Sequence, residues 1–218
     1  MNTRNTALAA RTLALAAAGT LASSAGAGVV YQQDFENAAN IGAEWSSSAT
    51  EESFPFTRFS QRRTNDTLSL TLNTTNGQAY SLVFDLYTID SWGGANPVWG
   101  YDRFNVNIEG ETLFSELIDN QPGSPNADFR APEVIGHLGF GMRPVDRDAI
   151  YRDIVLDFVA TGDSTTFAFF GSGLQDLRDE SWGIDNVRVA AVPAPAGVAA
   201  LSAGALFALR RRRAPLSR

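Results

Sequence analysis

Leu82-Val83-Phe84-Asp85-Leu86-Tyr87 places Leu82, Phe84 and Leu86 on one side of an extended chain and Val83, Asp85 and Tyr87 on the other. Successive side chains of a strand point to opposite faces, so this period of two predicts a strand with one face in an apolar core. The pattern recurs downstream: Phe104, Val106 and Ile108 alternate with Asn105, Asn107 and Glu109, and Ile154, Leu156 and Phe158 alternate with Asp153, Val155 and Asp157. Five further segments, 29–35, 68–73, 112–116, 165–171 and 183–192, read as strands broken by Gly, Asn, Asp or Pro. Long helical periodicity is absent. Eight or more short strands in one domain predict an all-β fold, a two-sheet antiparallel sandwich of the jelly-roll kind.

Outward from these strands, both ends of the chain change character. Residues 1–27 carry Arg4 and Arg11, an apolar stretch from Leu13 to Ala22 and the small-residue end Ala25-Gly26-Ala27. This is the order of a secretory signal peptide, and its apolar part is far shorter than the roughly 20 residues of a bilayer span. Cleavage by signal peptidase is expected before Gly28. At the other end Val192-Pro193-Ala194-Pro195 precedes the apolar run 196–209 and the block Arg210-Arg211-Arg212-Arg213. The prolines break regular structure, the run enters a membrane as a short helix, and the arginines hold its end on the cytoplasmic side. The expected organisation is therefore a signal peptide over 1–27, a sandwich domain over 28–191 and a sorting segment over 192–218.

Charge and composition exclude several functions. All 24 Asp and Glu lie between Asp34 and Asp185, against ten Arg from Arg58 to Arg188, so this span carries a balance of −14 where the whole chain has −7. Such a field repels nucleic acid and anionic membrane and favours divalent cations, although a saline habitat explains the same surface without a ligand. Cysteine is absent, which removes disulfides and thiolate catalysis, and lysine is absent, which removes Schiff-base chemistry. The one histidine, His137, sits among apolar neighbours and reads as structural. No Ser-His-Asp set, metal-binding His pair or phosphate loop is present, and Arg62-Arg63 reads as a solvated turn.

Two resemblances follow from the ends of the domain and of the chain. The segment from Val192 to Arg213 resembles the PEP-CTERM sorting signals, with Ala194 where the name's glutamate stands. This resemblance implies recognition by an exosortase-type processing enzyme, passage through an inner-membrane-anchored stage, and delivery to the cell surface or beyond. A plain C-terminal anchor has the same parts and differs in keeping its tail. Within the body, Gln33-Asp34-Phe35-Glu36, Trp45 and Ser181-Trp182-Gly183-Ile184-Asp185-Asn186-Val187 resemble the first and last strands of jelly-roll lectin-like and carbohydrate-binding modules, including the MAM type. That likeness implies that first and last strands lie side by side and that an acid from each holds a structural calcium ion. The segment Phe84 to Trp92 resembles exported bacterial proteins that bear the same tail.

Candidate site residues follow. With Val187 and Val189 facing the core and Arg188 exposed between them, strict alternation carries Asp185 to the inward face. A carboxylate there needs a cation or several donors. Two readings stand: a calcium ligand completed by Asp34 or Glu36, or a turn cap bonded by its own backbone amides. The Gly-rich loop with Asp90, Trp92, Trp99 and Asp102 is expected to offer aromatic faces to a pyranose ring and carboxylates to its hydroxyls, with the loop 176–182 and Trp182 either on the same rim or forming an acidic surface turn. The alternative is that these tryptophans pack over the sandwich edge, and burial of Trp92, Trp99 and Trp182 together would remove the sugar platform. The expected function is a non-enzymatic, calcium-stabilised module associated with extracellular polysaccharide. A structural matrix or surface-layer component stands second, and a glycoside hydrolase or polysaccharide lyase working through paired carboxylates third.

Overall fold

The computed structural model describes residues 28–54, 56–96, 98, 100–141 and 145–193, all within one unit that spans 25–194. Residues 1–27 and the sorting segment from Ala194 onward, with Pro195 and Arg210 to Arg213, lie outside them, as does Trp99. Thirteen strands follow in chain order: β1 Gly28–Gln33, β2 Thr50–Glu52, β3 Arg58–Ser60, β4 Thr67–Asn73, β5 Ala79–Asp90, β6 Ala95–Asn96, β7 Gly100–Tyr101, β8 Arg103–Ile108, β9 Glu111–Leu117, β10 Val134–Gly136, β11 Asp148–Val159, β12 Ser164–Ser172 and β13 Glu180–Ala191. They form an antiparallel sheet ordered β1-β13-β5-β11-β10, facing a second antiparallel sheet ordered β4-β12-β8-β9. Strands β2 and β3 pair as a small separate sheet, as do β6 and β7. No helix among the described residues is long and apolar enough to cross a membrane.

Alternation builds the core as expected. Leu82, Phe84 and Leu86 of β5, Phe104, Val106 and Ile108 of β8, and Phe167 and Phe169 of β12 are buried between the two sheets. Phe84 meets Phe169 edge-on at 5.4 Å, and Phe104 meets Trp182 edge-on at 5.1 Å. Such aromatic pairs add about 0.5–1.5 kcal/mol each beyond their buried area. The outer face of the larger sheet is also covered at one end. Phe56 and Phe59, from the β2–β3 region, pack with Tyr87, Ile89 and Ile150 in a second apolar cluster.

First and last strands lie side by side: Gln33 opposes Val187, and Tyr31 opposes Val189. Beyond Ala191 two more bonds close the domain, from Val192 N to Ala79 O at 2.9 Å and from Gln78 Nε2 to Val192 O at 2.7 Å, before the exposed Pro193.

Two corrections concern local geometry. Arg62 and Arg63 do not form a solvated turn. Arg62 pairs with Glu51 at 2.9 Å and lies over the Phe140 ring at 4.4 Å, while the backbone of Arg63 exchanges hydrogen bonds with Trp182. Nor does strict alternation run through β13. Ile184 and Val187 both face the core, so the parity changes between them, and Asp185 points to the opposite, outer side, where Tyr87 lies. The cause is a bulge between Asp185 and Arg188, with Asn186 in the left-handed region at φ 51°.

Candidate functional site

The bulge in β13 has a counterpart two strands away. In β11 the register against β5 shifts between Tyr151 and Ile154, with Asp153 at φ 49°. Both bulges face Asp85, which lies on the central strand between them. The Asp85 carboxylate accepts from Asp153 N at 2.8 Å, from Asn186 Nδ2 at 3.0 Å and from Arg152 Nη1 at 3.2 Å. A bulge frees a backbone amide from the ladder, and a buried amide left unpaired is costly, so this carboxylate holds the β11 bulge closed. Asp and Asn tolerate left-handed backbone better than other non-glycine residues, which accounts for the residues chosen at 153 and 186.

Asp185 stands directly across the ladder from Asp85, also on the outer side. It accepts from Tyr87 Oη at 2.9 Å, from Asn186 N at 2.7 Å and from Asn186 Nδ2 at 3.3 Å. Burial pushes its carboxyl up to about 6, against the hydrogen bonds from Tyr87 and Asn186 and with help from the charges of Asp85 and Glu36. Burial, followed by the charge of Asp185, also drives the Tyr87 hydroxyl strongly upward. Of the three expected calcium ligands, Asp185 is thus buried among donors, Asp34 is exposed with Oδ1 accepting from Glu36 N at 3.2 Å, and Glu36 is exposed. Among the described residues no group of three or more acids or histidines has the spacing of a metal centre.

The paired bulges open a groove of about 630 Å³ on the outer face of the larger sheet, crossing β1, β13, β5 and β11. Its wall residues include Gln32, Asp34, Asp85, Arg152, Asn186 and Arg188. Arg188 and Asp153 form an ion pair at 3.5 Å with both side chains more than half exposed, leaving charge accessible at the rim. Polar groups of both signs thus face a concave surface of ligand-sized volume.

The loops expected to form a sugar platform close inward instead. Trp92 and Trp182 have no exposed surface, and both belong to the core between the sheets. Trp92 donates through Nε1 to Ser181 O at 2.9 Å, and Trp182 donates to Thr64 O at 2.6 Å. Neither face is open to a pyranose ring, so these two residues are structural. The two loops touch: Ser91 N and Oγ both donate to Asp179 O. Asp90, Asp102 and Glu180, however, are buried, while Asp179 is half-buried and Asp176 exposed. Burial pushes Asp90 up to about 7, with the Asp148 charge next, and pushes Asp102 up to about 6 and Glu180 to about 7. His137 is exposed at the end of β10 rather than enclosed.

The groove was not legible in the strand pattern. A usable signal was present in the residues between the strictly alternating stretches, Arg152-Asp153 and Asp185-Asn186, where polar pairs interrupt apolar alternation.

No protein-family model matches the chain, and no curated protein matches it. Among solved structures it is similar to a cycloisomaltooligosaccharide glucanotransferase of Paenibacillus sp., at 12% identity and a TM-score of 0.30 over 72% of this chain and 18% of that one. A 4-O-methyl-α-glucuronidase with specificity for decorated arabinogalactans gives 18% identity and a TM-score of 0.36 over 82% of this chain and 19% of that one. A family 35 carbohydrate binding module from an environmental isolate gives 10% identity and a TM-score of 0.31, over 78% of this chain and 93% of the module. The chain thus spans less than a fifth of the two enzymes. At these identities and scores the likeness carries nothing about ligand or activity.

Proposed function

We propose that this chain is an exported, non-enzymatic binding module of the cell surface or extracellular polysaccharide matrix, and that it takes glycan in the groove between the paired bulges. Export and anchoring rest on the order of parts at the two ends, a signal peptide before β1 and a PEP-CTERM-like tail after Val192. The observation that carries the binding reading is the groove itself, where Asp85, Arg152, Asn186 and Arg188 present donors and acceptors across a concave surface. Vicinal hydroxyls of a sugar donate to carboxylates and accept from guanidinium and amide groups, so this set matches glycan chemistry without an aromatic platform.

The test is affinity electrophoresis of the full chain through gels containing a panel of acidic and neutral bacterial polysaccharides. The expected result is retardation by at least one polysaccharide, weakened at least tenfold in Arg188→Ala and in Arg152→Ala, with Arg188→Ala melting as the parent does. Retardation by none, or retardation unchanged in both variants, would remove the groove as a glycan site.

A further inference from the structure

The groove between the two bulges carries its own charge pattern. Asp34, Asp85 and Asp153 line it against Arg152 and Arg188. Each guanidinium already faces a carboxylate of the groove: Arg152 Nη1 donates to Asp85 at 3.2 Å, and Arg188 Nη2 stands 3.5 Å from Asp153 Oδ1. The third acid, Asp34, is exposed and has no arginine partner among the described residues. The groove thus holds one more acid than it has arginines.

What stays open to a ligand is hydrogen-bonding capacity rather than net charge. The Arg152 and Arg188 side chains are 48% and 51% exposed, and beyond the one nitrogen that meets a carboxylate neither guanidinium donates to a described residue. Asn186 donates through Nδ2 to Asp85 and Asp185, while its Oδ1 accepts from no described residue. Asp34 accepts from Glu36 N through Oδ1 alone. Guanidinium donors beside carboxylate and amide acceptors suit a hydroxyl, which both donates and accepts. A uronate, sulfate or phosphate group meets a different surface. To pair with either arginine it must displace or share the resident carboxylate, and it adds a negative charge where acids already outnumber arginines. A charge taken out of water without a free partner is unfavourable.

We infer, resting on the glycan reading of this groove, that it takes an uncharged glycan, one without uronate, sulfate or phosphate groups. The body as a whole, with its balance of −14, repels polyanions at a distance. Selectivity at contact is set in the groove itself, where the exposed acids Asp34 and Asp153 stand beside two guanidiniums that would otherwise capture an anion.

Titration calorimetry of the full chain in about 0.15 M salt, where exposed charges beyond about 8 Å are largely screened, separates the groove from the field of the body. The probes are a soluble neutral glucan, a galactomannan, alginate and polygalacturonate. The expected result is binding of at least one neutral polymer, with both polyuronates at least tenfold weaker or not bound. Asp34→Asn combined with Asp153→Asn leaves both guanidiniums against Asp85 alone and should bind polygalacturonate at least tenfold more tightly than the parent does. Asparagine suits both positions, since its Oδ1 still accepts from Glu36 N and it tolerates the left-handed backbone at 153. Neutral selectivity is overturned if the parent binds a polyuronate as tightly as any neutral polymer, or if the double variant gains no polygalacturonate binding. Where the parent's polyuronate binding falls at least tenfold in Arg152→Ala, the glycan site stands and only its selectivity is lost. Binding of none of the four polymers removes the site and the selectivity together. Should the double variant fail to fold by circular dichroism, Asp34→Asn alone and the parent's own selectivity decide.

Discussion

Two carboxylates face each other across the β5–β13 ladder, and their different surroundings separate their behaviour. Asp85 accepts hydrogen bonds from a guanidinium, an amide nitrogen and a backbone N–H, whereas Asp185 accepts from a phenol, an amide side chain and one backbone N–H. Burial favours the neutral acid, and the like charge of Asp85 directly opposite in the ladder adds to it, so Asp185 is pushed up to about 6. A carboxyl whose folded value lies above its unfolded value near 3.9 binds its proton more tightly in the native state. Its contribution to stability is therefore greatest at low pH and is lost as pH rises from about 4 through 6. Denaturant midpoints measured between pH 4.5 and 7.5 should accordingly fall less steeply with rising pH in Asp185→Asn than in the parent. Equal slopes would show that Asp185 does not titrate in this range.

At this scale strict alternation assigned Asp185 to the inward face, in need of donors; the structure buries it among donors, but on the outer side. Parity is a local rule, and one residue in left-handed backbone, Asn186, resets it. The tryptophans illustrate the same limit. Aromatic residues in a Gly-rich loop suit either an open platform or an inward plug, and only the packing of Trp92 and Trp182 against the core distinguishes them.

Among the elements, the eight expected strands all form, and those with sustained apolar alternation, β5, β8 and β12 among them, bury one face in the core. The short strands β2, β3, β6, β7 and β10 carry two or three residues each, too few for a period to be visible. Their placement depends on what they cover. Strand β3 lies so close on β13 that a Cβ on Gly183 would stand 2.5 Å from Phe59 Cδ2 and 3.2 Å from Ser60 O. Gly183→Ala should therefore displace β2–β3 and cost about 1–3 kcal/mol, the usual range for overpacking. In a Phe59→Ala background the same substitution should cost clearly less, a coupling that a double-mutant cycle on urea unfolding measures. Additive effects would mean that the ring is not what resists the new methyl.

Over the whole molecule, the acidic balance of the body sets a further expectation. The 24 acids against ten arginines between Asp34 and Arg188 repel one another in the folded state, and several are buried. Salt at about 0.1 M shortens the reach of exposed charges to about 10 Å. Raising sodium chloride from low millimolar to a few tenths molar, in chelator, should thus raise the melting midpoint. A midpoint that falls would show that favourable surface pairs such as Arg62–Glu51 outweigh the repulsion.

The sequence by itself determined the fold class, the eight long strands and the expected export of the chain, because alternation, chain-end composition and charge are written in neighbouring residues. Only the tertiary structure decided which acids lie together and which aromatics are closed off. Asp85 meets Arg152 across 67 positions and Asn186 across 101, and the Trp92 indole meets the Ser181 carbonyl across 89, at a sheet end that no local pattern encodes. Such meetings depend on strand order and on the residue count of each bulge. Both are settled when two sheets close on one core, where a single inserted residue turns a side chain from one face to the other.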